Sequence, residues 1–130
     1  MIKQVIVIRK DLNMRKGKMV SQGAHASMKV FFDRMNKKNT MSQLVSYEFV
    51  ATKQMIDWID GNFKKIVVSV DSEIELLNYQ FLAEEAGIPN ALIEDNGLTE
   101  FNGVKTKTAL AIGPDDSEKI DAITKNLKLL

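Results

Sequence analysis

Lys3–Lys29, KQVIVIRKDLNMRKGKMVSQGAHASMK, decides the fold class of this 130-residue chain. Its first seven residues are a short, continuous, β-branched run, which predicts a central strand buried on both faces. Asp11–Arg15 then forms a loop at the carboxyl end of that strand. From about Gly17 the pattern becomes a helix of small residues, expected to run to Lys37. At 3.6 residues per turn, Lys18, Gln22, His25 and Lys29 stack on one face. Met19, Val20, Gly23, Ser27, Val30 and Phe31 fall on the other. Gly23, Ala24, Ala26 and Ser27 let that second face press closely on a sheet.

The rest of the chain repeats the alternation. Met41–Val50 fits a loop with a short helix. Thr52 is placed to cap a helix through Ile59, closed by Gly61. Lys65–Val70, KIVVSV, is a second buried strand. Ser72, with Glu75 three residues on, forms a capping box for a helix that stops at Ala86–Gly87, just before Pro89. Ala91–Glu94 is a short third strand and Asp95-Asn96-Gly97 a turn. Thr106–Ile112 is a fourth strand, broken by Gly113-Pro114-Asp115. A last helix spans Ser117–Asn126, and Leu127–Leu130 docks as a tail. Strands alternating with helices predict one α/β domain over residues 1–130: a small mixed four-stranded sheet with helices on both faces, in three layers.

Composition narrows the function. There is no cysteine, which excludes disulfides and thiolate chemistry, and one histidine in no ligand spacing, so no metal or cofactor is expected. No apolar run reaches membrane-spanning length and none reads as a signal peptide, so a cytoplasmic protein without membrane contact is expected. The net charge is +1, but its distribution is uneven. Met1–Lys53 holds 11 Lys and Arg against 3 Asp and Glu, or +8; Gln54–Leu130 holds 7 against 14, or −7. A basic first part is the footprint of a polyanion-binding face, unless these residues scatter in space.

The basic cluster Arg15, Lys16 and Lys18 lies at a helix start, where the macrodipole disfavours cations. It is either a solvated helix start or, with the free backbone N–H groups, an anion site. Phosphate-binding glycine motifs and a nucleophile elbow are absent. Asp95, at the end of the third strand, meets the Lys16–Lys18 corner if the first and third strands are parallel neighbours, because α/β sheets gather ligands at the carboxyl ends of strands. Asp95 is equally the ordinary first residue of an Asx turn. Thr99, Thr106 and Thr108, with Lys105 and Lys107, follow it. His25, alone in mid-helix, fits packing or hydrogen bonding better than catalysis.

Three runs in this order, KGKMVSQGAHA, IEDNGLT and TKTALAIGP, resemble the peptidyl-tRNA hydrolases of the archaeal and eukaryotic type. The resemblance extends from KQVIVIRKDLNM to KNLKLL. It implies a small mixed sheet sandwiched by helices, and hydrolysis of the ester joining a peptide to the 3′ ribose of tRNA. It places the active site on Lys18, Gln22, His25, Asp95, Thr99 and Thr108, with Lys16 and Lys107 as further tRNA contacts. Leu98 stands where many members carry arginine, Ser21 replaces a common alanine, and the Thr99–Thr108 connection differs in length and composition.

Ester hydrolysis needs an activated water and a stabilised oxyanion. Asp95 suits the first task and Lys18 the second; Thr99 or Thr108 can donate to water or substrate, and His25 can position Gln22. Arg15, Lys16, Lys29, Arg34, Lys37, Lys38 and Lys107 are the expected tRNA contacts, reading charge and shape. Two rival readings are a non-catalytic RNA- or protein-binding module, which has no need of Asp95, and a small-substrate esterase or amidase, which has no need of the basic surface. A monomer or a homodimer fits the sequence equally.

Overall fold

A computed structural model describes residues 1–130. The elements are β1 (Ile2–Arg9), α1 (Lys16–Phe32), β2 (Asn36–Asn39), β3 (Val45–Glu48), α2 (Lys53–Asp60), β4 (Lys65–Val70), α3 (Glu73–Glu85), β5 (Asn90–Asp95), β6 (Thr106–Asp116), α4 (Ser117–Thr124) and β7 (Lys128–Leu129). The main sheet is mixed and five-stranded, in the order β5-β6-β1-β4-β7, rather than four-stranded. The fifth strand is the expected tail: Leu129 and Lys128 pair antiparallel with Val68 and Ser69 at the β4 edge.

β1 is central, parallel to β4 and antiparallel to β6. Its side chains alternate between two cores, as a strand buried on both faces requires. Val5 and Val7 join Leu76 and Ala83 of α3 and Ile120 of α4. Ile6 and Ile8 join Ala26 and Val30 of α1 and Met55 of α2. Thr52 caps α2 by accepting from the Met55 N–H, and Ser72 caps α3 by accepting from the Glu75 N–H.

Five further expectations are corrected. β5 and β1 run in the same direction but are not neighbours; β6 lies between them, antiparallel to both. α1 ends at Phe32, not Lys37, and Lys37 and Lys38 lie in β2. β2 pairs with β3 as a separate exposed hairpin, where the sequence pattern suggests a loop with a short helix. Gly113-Pro114-Asp115 does not break β6. The strand runs through it to Asp116 by a register shift in which Val5 faces Ile112 and Lys3 faces Asp115. Buried Gln4 ties this irregularity to α1: its Nε2 donates to the Gly113 carbonyl at 3.1 Å, and its Oε1 accepts from Ser27 Oγ at 2.6 Å. α4 also ends early, at Thr124.

Candidate active site

The carboxyl ends of β1 and β5, the start of β6 and the first turns of α1 converge on one corner. The small residues of α1 explain how. Gly23, Ala26 and Ser27 are buried, so the helix lies low on β1 and β6. A Cβ on Gly23 would already be 3.7 Å from Ile6. Gln22 is buried too, although the helical wheel puts it on the polar stripe, and Val20, expected to pack, is exposed. The packed face is therefore rotated toward Lys18 and Gln22, and these two polar side chains point at the sheet's end.

There they meet Asp95. Lys18 Nζ donates to Asp95 Oδ1 at 2.9 Å and to Thr99 Oγ1 at 2.8 Å. Gln22 Nε2 donates to the same Asp95 oxygen at 3.3 Å. Gln22 Oε1 accepts from Thr108 Oγ1 at 2.5 Å, a bond within the protein interior. Asp95 Oδ2 accepts from the Gly97 N–H at 2.9 Å. Gly97 is required for this turn: its φ is +79°, and a Cβ would fall 2.2 Å from the Val104 carbonyl oxygen. The Lys18 ammonium lies 5.7 Å from the Phe101 ring centroid.

Counting valences shows what remains. A lysine ammonium has three donors, and Asp95 and Thr99 take two. Asp95 Oδ1 accepts two hydrogen bonds and Oδ2 one, which leaves an acceptor position on Oδ2. The α1 start adds backbone donors, because Arg15 at the N-cap makes no side-chain cap. One cation donor and one carboxylate acceptor thus stand side by side, both only slightly exposed (13% and 15%), where water screens them weakly. Burial works to raise the Asp95 pKa. The Lys18 ammonium, the Gly97 N–H and the Gln22 amide outweigh it and hold the carboxyl below its ordinary range.

The other anticipated residues are placed differently. His25 is exposed on α1 and makes no hydrogen bond, to Gln22 or to any other group. Thr108 is fully buried and reaches the corner only through Gln22. Arg15 pairs with Glu100 at 2.7 Å, Lys29 with Asp33 at 2.6 Å and Lys38 with Glu48 at 2.8 Å. Arg34 opens onto a polar cleft that Asp33, Glu84 and Asp115 also line. Lys16 turns to the far side of α1, beside Val20 and Gly23. Lys107 lies in β6, and its backbone carbonyl accepts from Arg9 at 3.0 Å. Sequence reasoning missed Phe101 and the Gly97 N–H. The D-N-G turn points to the second; no pattern marks the first. Leu98 is exposed beside Thr99, and Ser21 donates to the Lys18 carbonyl at 2.9 Å.

A sequence profile of the family described as "Peptidyl-tRNA hydrolase PTH2" matches residues 2–130. A Methanocaldococcus jannaschii protein named peptidyl-tRNA hydrolase is 42% identical over 129 residues, 99% of this chain and 100% of its own. Proteins of the same name from Methanothermobacter thermautotrophicus and Staphylothermus marinus are 43% and 41% identical, over 99% and 98% of this chain and 100% and 94% of theirs.

Proposed function

This chain belongs to the peptidyl-tRNA hydrolase family PTH2, and on that premise we propose that Lys18 and Asp95 carry the hydrolysis of the ester between peptide and tRNA ribose. The observation that carries this assignment is the pair itself, with one donor and one acceptor left open on adjacent, weakly screened groups.

A water held by Asp95 Oδ2 attacks the ester carbonyl and passes a proton to the carboxylate as the C–O bond forms. A carboxyl whose pKa is held low is a weak base, so its main contribution is to aim the water. The oxyanion takes the third Lys18 donor and the uncapped N–H groups of α1. When the intermediate collapses, the C–O bond to the ribose breaks and the proton on Asp95 goes to the ribose 3′ oxygen. Gln22 and Thr99 fix the carboxylate and the ammonium, and Thr108 fixes Gln22. His25 serves positioning at most.

The tRNA phosphates lie along the basic residues of the first part of the chain and Lys107 of β6. Lys37 and Lys107 form no ion pair and contribute most; Lys16, unpaired but turned to the far side of α1, contributes less; Arg15, Lys29 and Lys38 must first leave an acid, and Arg34 faces several. The protein acts as one domain in the cytoplasm, as monomer or homodimer, with no metal or cofactor. A binding module without catalysis would not need a pinned lysine–carboxylate pair. Release of tRNA from N-acetylated aminoacyl-tRNA tests the assignment: wild-type turnover with loss in Asp95→Asn supports it, and full turnover in Asp95→Asn overturns it.

A further inference from the structure

Across α1 from the Lys18–Asp95 corner runs an apolar groove of about 740 Å³. Val20 and Met28 of α1 form one wall and Phe63, Val67 and Leu130 the other. It shares Ser27, Met28 and Phe63 with a further hollow of about 270 Å³ that ends at Phe32 and Met35. Together the two follow α1 for most of its length, roughly 25 Å for 17 residues. Val20, Met28 and Phe63 are 72%, 51% and 52% exposed, an unusual amount of apolar surface in one line. The ionisable side chains lining the two hollows are Lys16 and Lys65, and neither forms an ion pair. Lys65 lies over the Phe63 ring, 3.2 Å from its centroid, and burial lowers its pKa.

We propose that this groove binds the peptide part of the substrate, favouring apolar and acidic side chains over basic ones. The proposal rests on the assignment of the ester to Lys18 and Asp95. Lys16 in the groove and Lys18 in the site are separated only by Gly17, which has open space where a Cβ would be. A chain attached at the ester crosses the first turn of α1 at Gly17 and enters the groove beside Lys16. The helix is about 10 Å across, and an extended peptide advances about 3.3 Å per residue. The first three residues from the ester therefore cross, and the fourth and later ones lie in the groove. The two unpaired lysines set the charge preference.

The test compares N-acetylated aminoacyl-tRNA with hexapeptidyl-tRNAs whose last three positions from the ester are Leu-Phe-Asp or Lys-Lys-Ser. The expected KM is at least about tenfold lower for the apolar-acidic hexapeptide, the scale of one partly buried apolar side chain, with kcat unchanged. Val20→Glu and Met28→Glu, at exposed helical positions that tolerate charge, abolish this preference and leave hydrolysis of the N-acetylated substrate unchanged; Met28→Leu preserves it. Equal KM for all three substrates in the wild type, or a preference that survives both Glu variants, overturns the proposal. Binding to the wild-type protein of the same three ligands, with the acyl group joined to tRNA through a non-hydrolysable 3′ amide, reads the groove without turnover. A Kd preference there upholds the groove even if the catalytic assignment fails, and equal Kd values overturn the groove alone.

Discussion

At the amino end of α1, Lys18 is held between Asp95 and Thr99, and Gln22 and Gly97 complete the carboxylate's shell. Just past the carboxyl end, Lys38 meets Glu48 on the open surface of the hairpin, and Lys29 meets Asp33 one helical turn away. Both regions are basic in sequence. At the first, partial burial and shared hydrogen bonds fix each charge and leave defined valences open. At the second, long side chains make single contacts in water, where ion pairs contribute about 0–1 kcal/mol. A charge run in a sequence therefore marks two different things: a pinned functional group, or a solvated surface that attracts a polyanion at long range.

The largest effects are expected at the pinned end. Asp95→Asn keeps the shape and removes the base, and single-turnover hydrolysis of N-acetylated aminoacyl-tRNA should fall about 10²–10⁴-fold. Lys18→Ala should lower kcat by a similar order and affect substrate binding less. Because both act on one step, the double variant should be little worse than the worse single one. Losses that multiply would show two independent contributions. The same pair sets a pH signature. A carboxyl whose folded pKa lies below its unfolded value stabilises the fold above the unfolded value and loses that contribution as pH falls through the folded one. The stability gap between wild type and Asp95→Asn should thus be full at neutral pH and close only below about pH 3.9, the ordinary carboxyl value. A gap that does not change with pH would remove the ion pair as its cause.

Next in size is the buried support. Thr108→Val leaves Gln22 Oε1 without its donor in the interior, which should cost about 1–3 kcal/mol of stability in denaturant unfolding. Activity should fall less than in Asp95→Asn, because Thr108 acts only through Gln22. A variant as stable as wild type would mean that Gln22 finds another partner.

Much of this corner is readable from residue order, and its exceptions have local causes. The ends of strands single out Asp95, yet its meeting with Lys18 follows from sequence only if their strands are adjacent. Instead β6 separates them, and the same edge is reached because two antiparallel pairings restore the direction. Gln22 lies on a polar stripe by helical wheel but is buried, because Thr108 and Asp95 satisfy its amide and offset the loss of water. The hairpin β2–β3 escapes pattern reading. β3 alternates apolar and polar residues over only four positions, its partner β2 holds no apolar residue, and the turn puts Gln43 at a φ of 62° without a glycine to announce it. β6 passes through a proline that reads as a breaker, since the irregularity opposite Gln4 absorbs it.

At the solvated end, reversing Arg34, Lys37 and Lys38 together should weaken tRNA binding. The slope of log affinity against log salt should flatten by about 0.7–0.9 for each phosphate that is no longer neutralised. Lys38 is already paired with Glu48, so Lys37→Glu alone should account for more of the change than Lys38→Glu alone. An unchanged slope in the triple variant would move the tRNA to another face.

The smallest effect is expected at His25. It lies seven residues after Lys18, two turns along α1, which is about 10 Å of rise. Its side chain is exposed and bonds to nothing. Gln22, which it could have supported, has its amide oxygen taken by Thr108 and its amide nitrogen by Asp95. Removing the imidazole thus breaks no hydrogen bond in the network and opens no cavity. An exposed substitution of this kind changes stability by about 0.5 kcal/mol or less. His25→Ala should keep kcat within about threefold of wild type, the same 0.5 kcal/mol expressed as a rate. A loss as large as that of Lys18→Ala, with the fold intact by circular dichroism, would make the exposed imidazole the general base and reduce Asp95 to an anchor for Lys18.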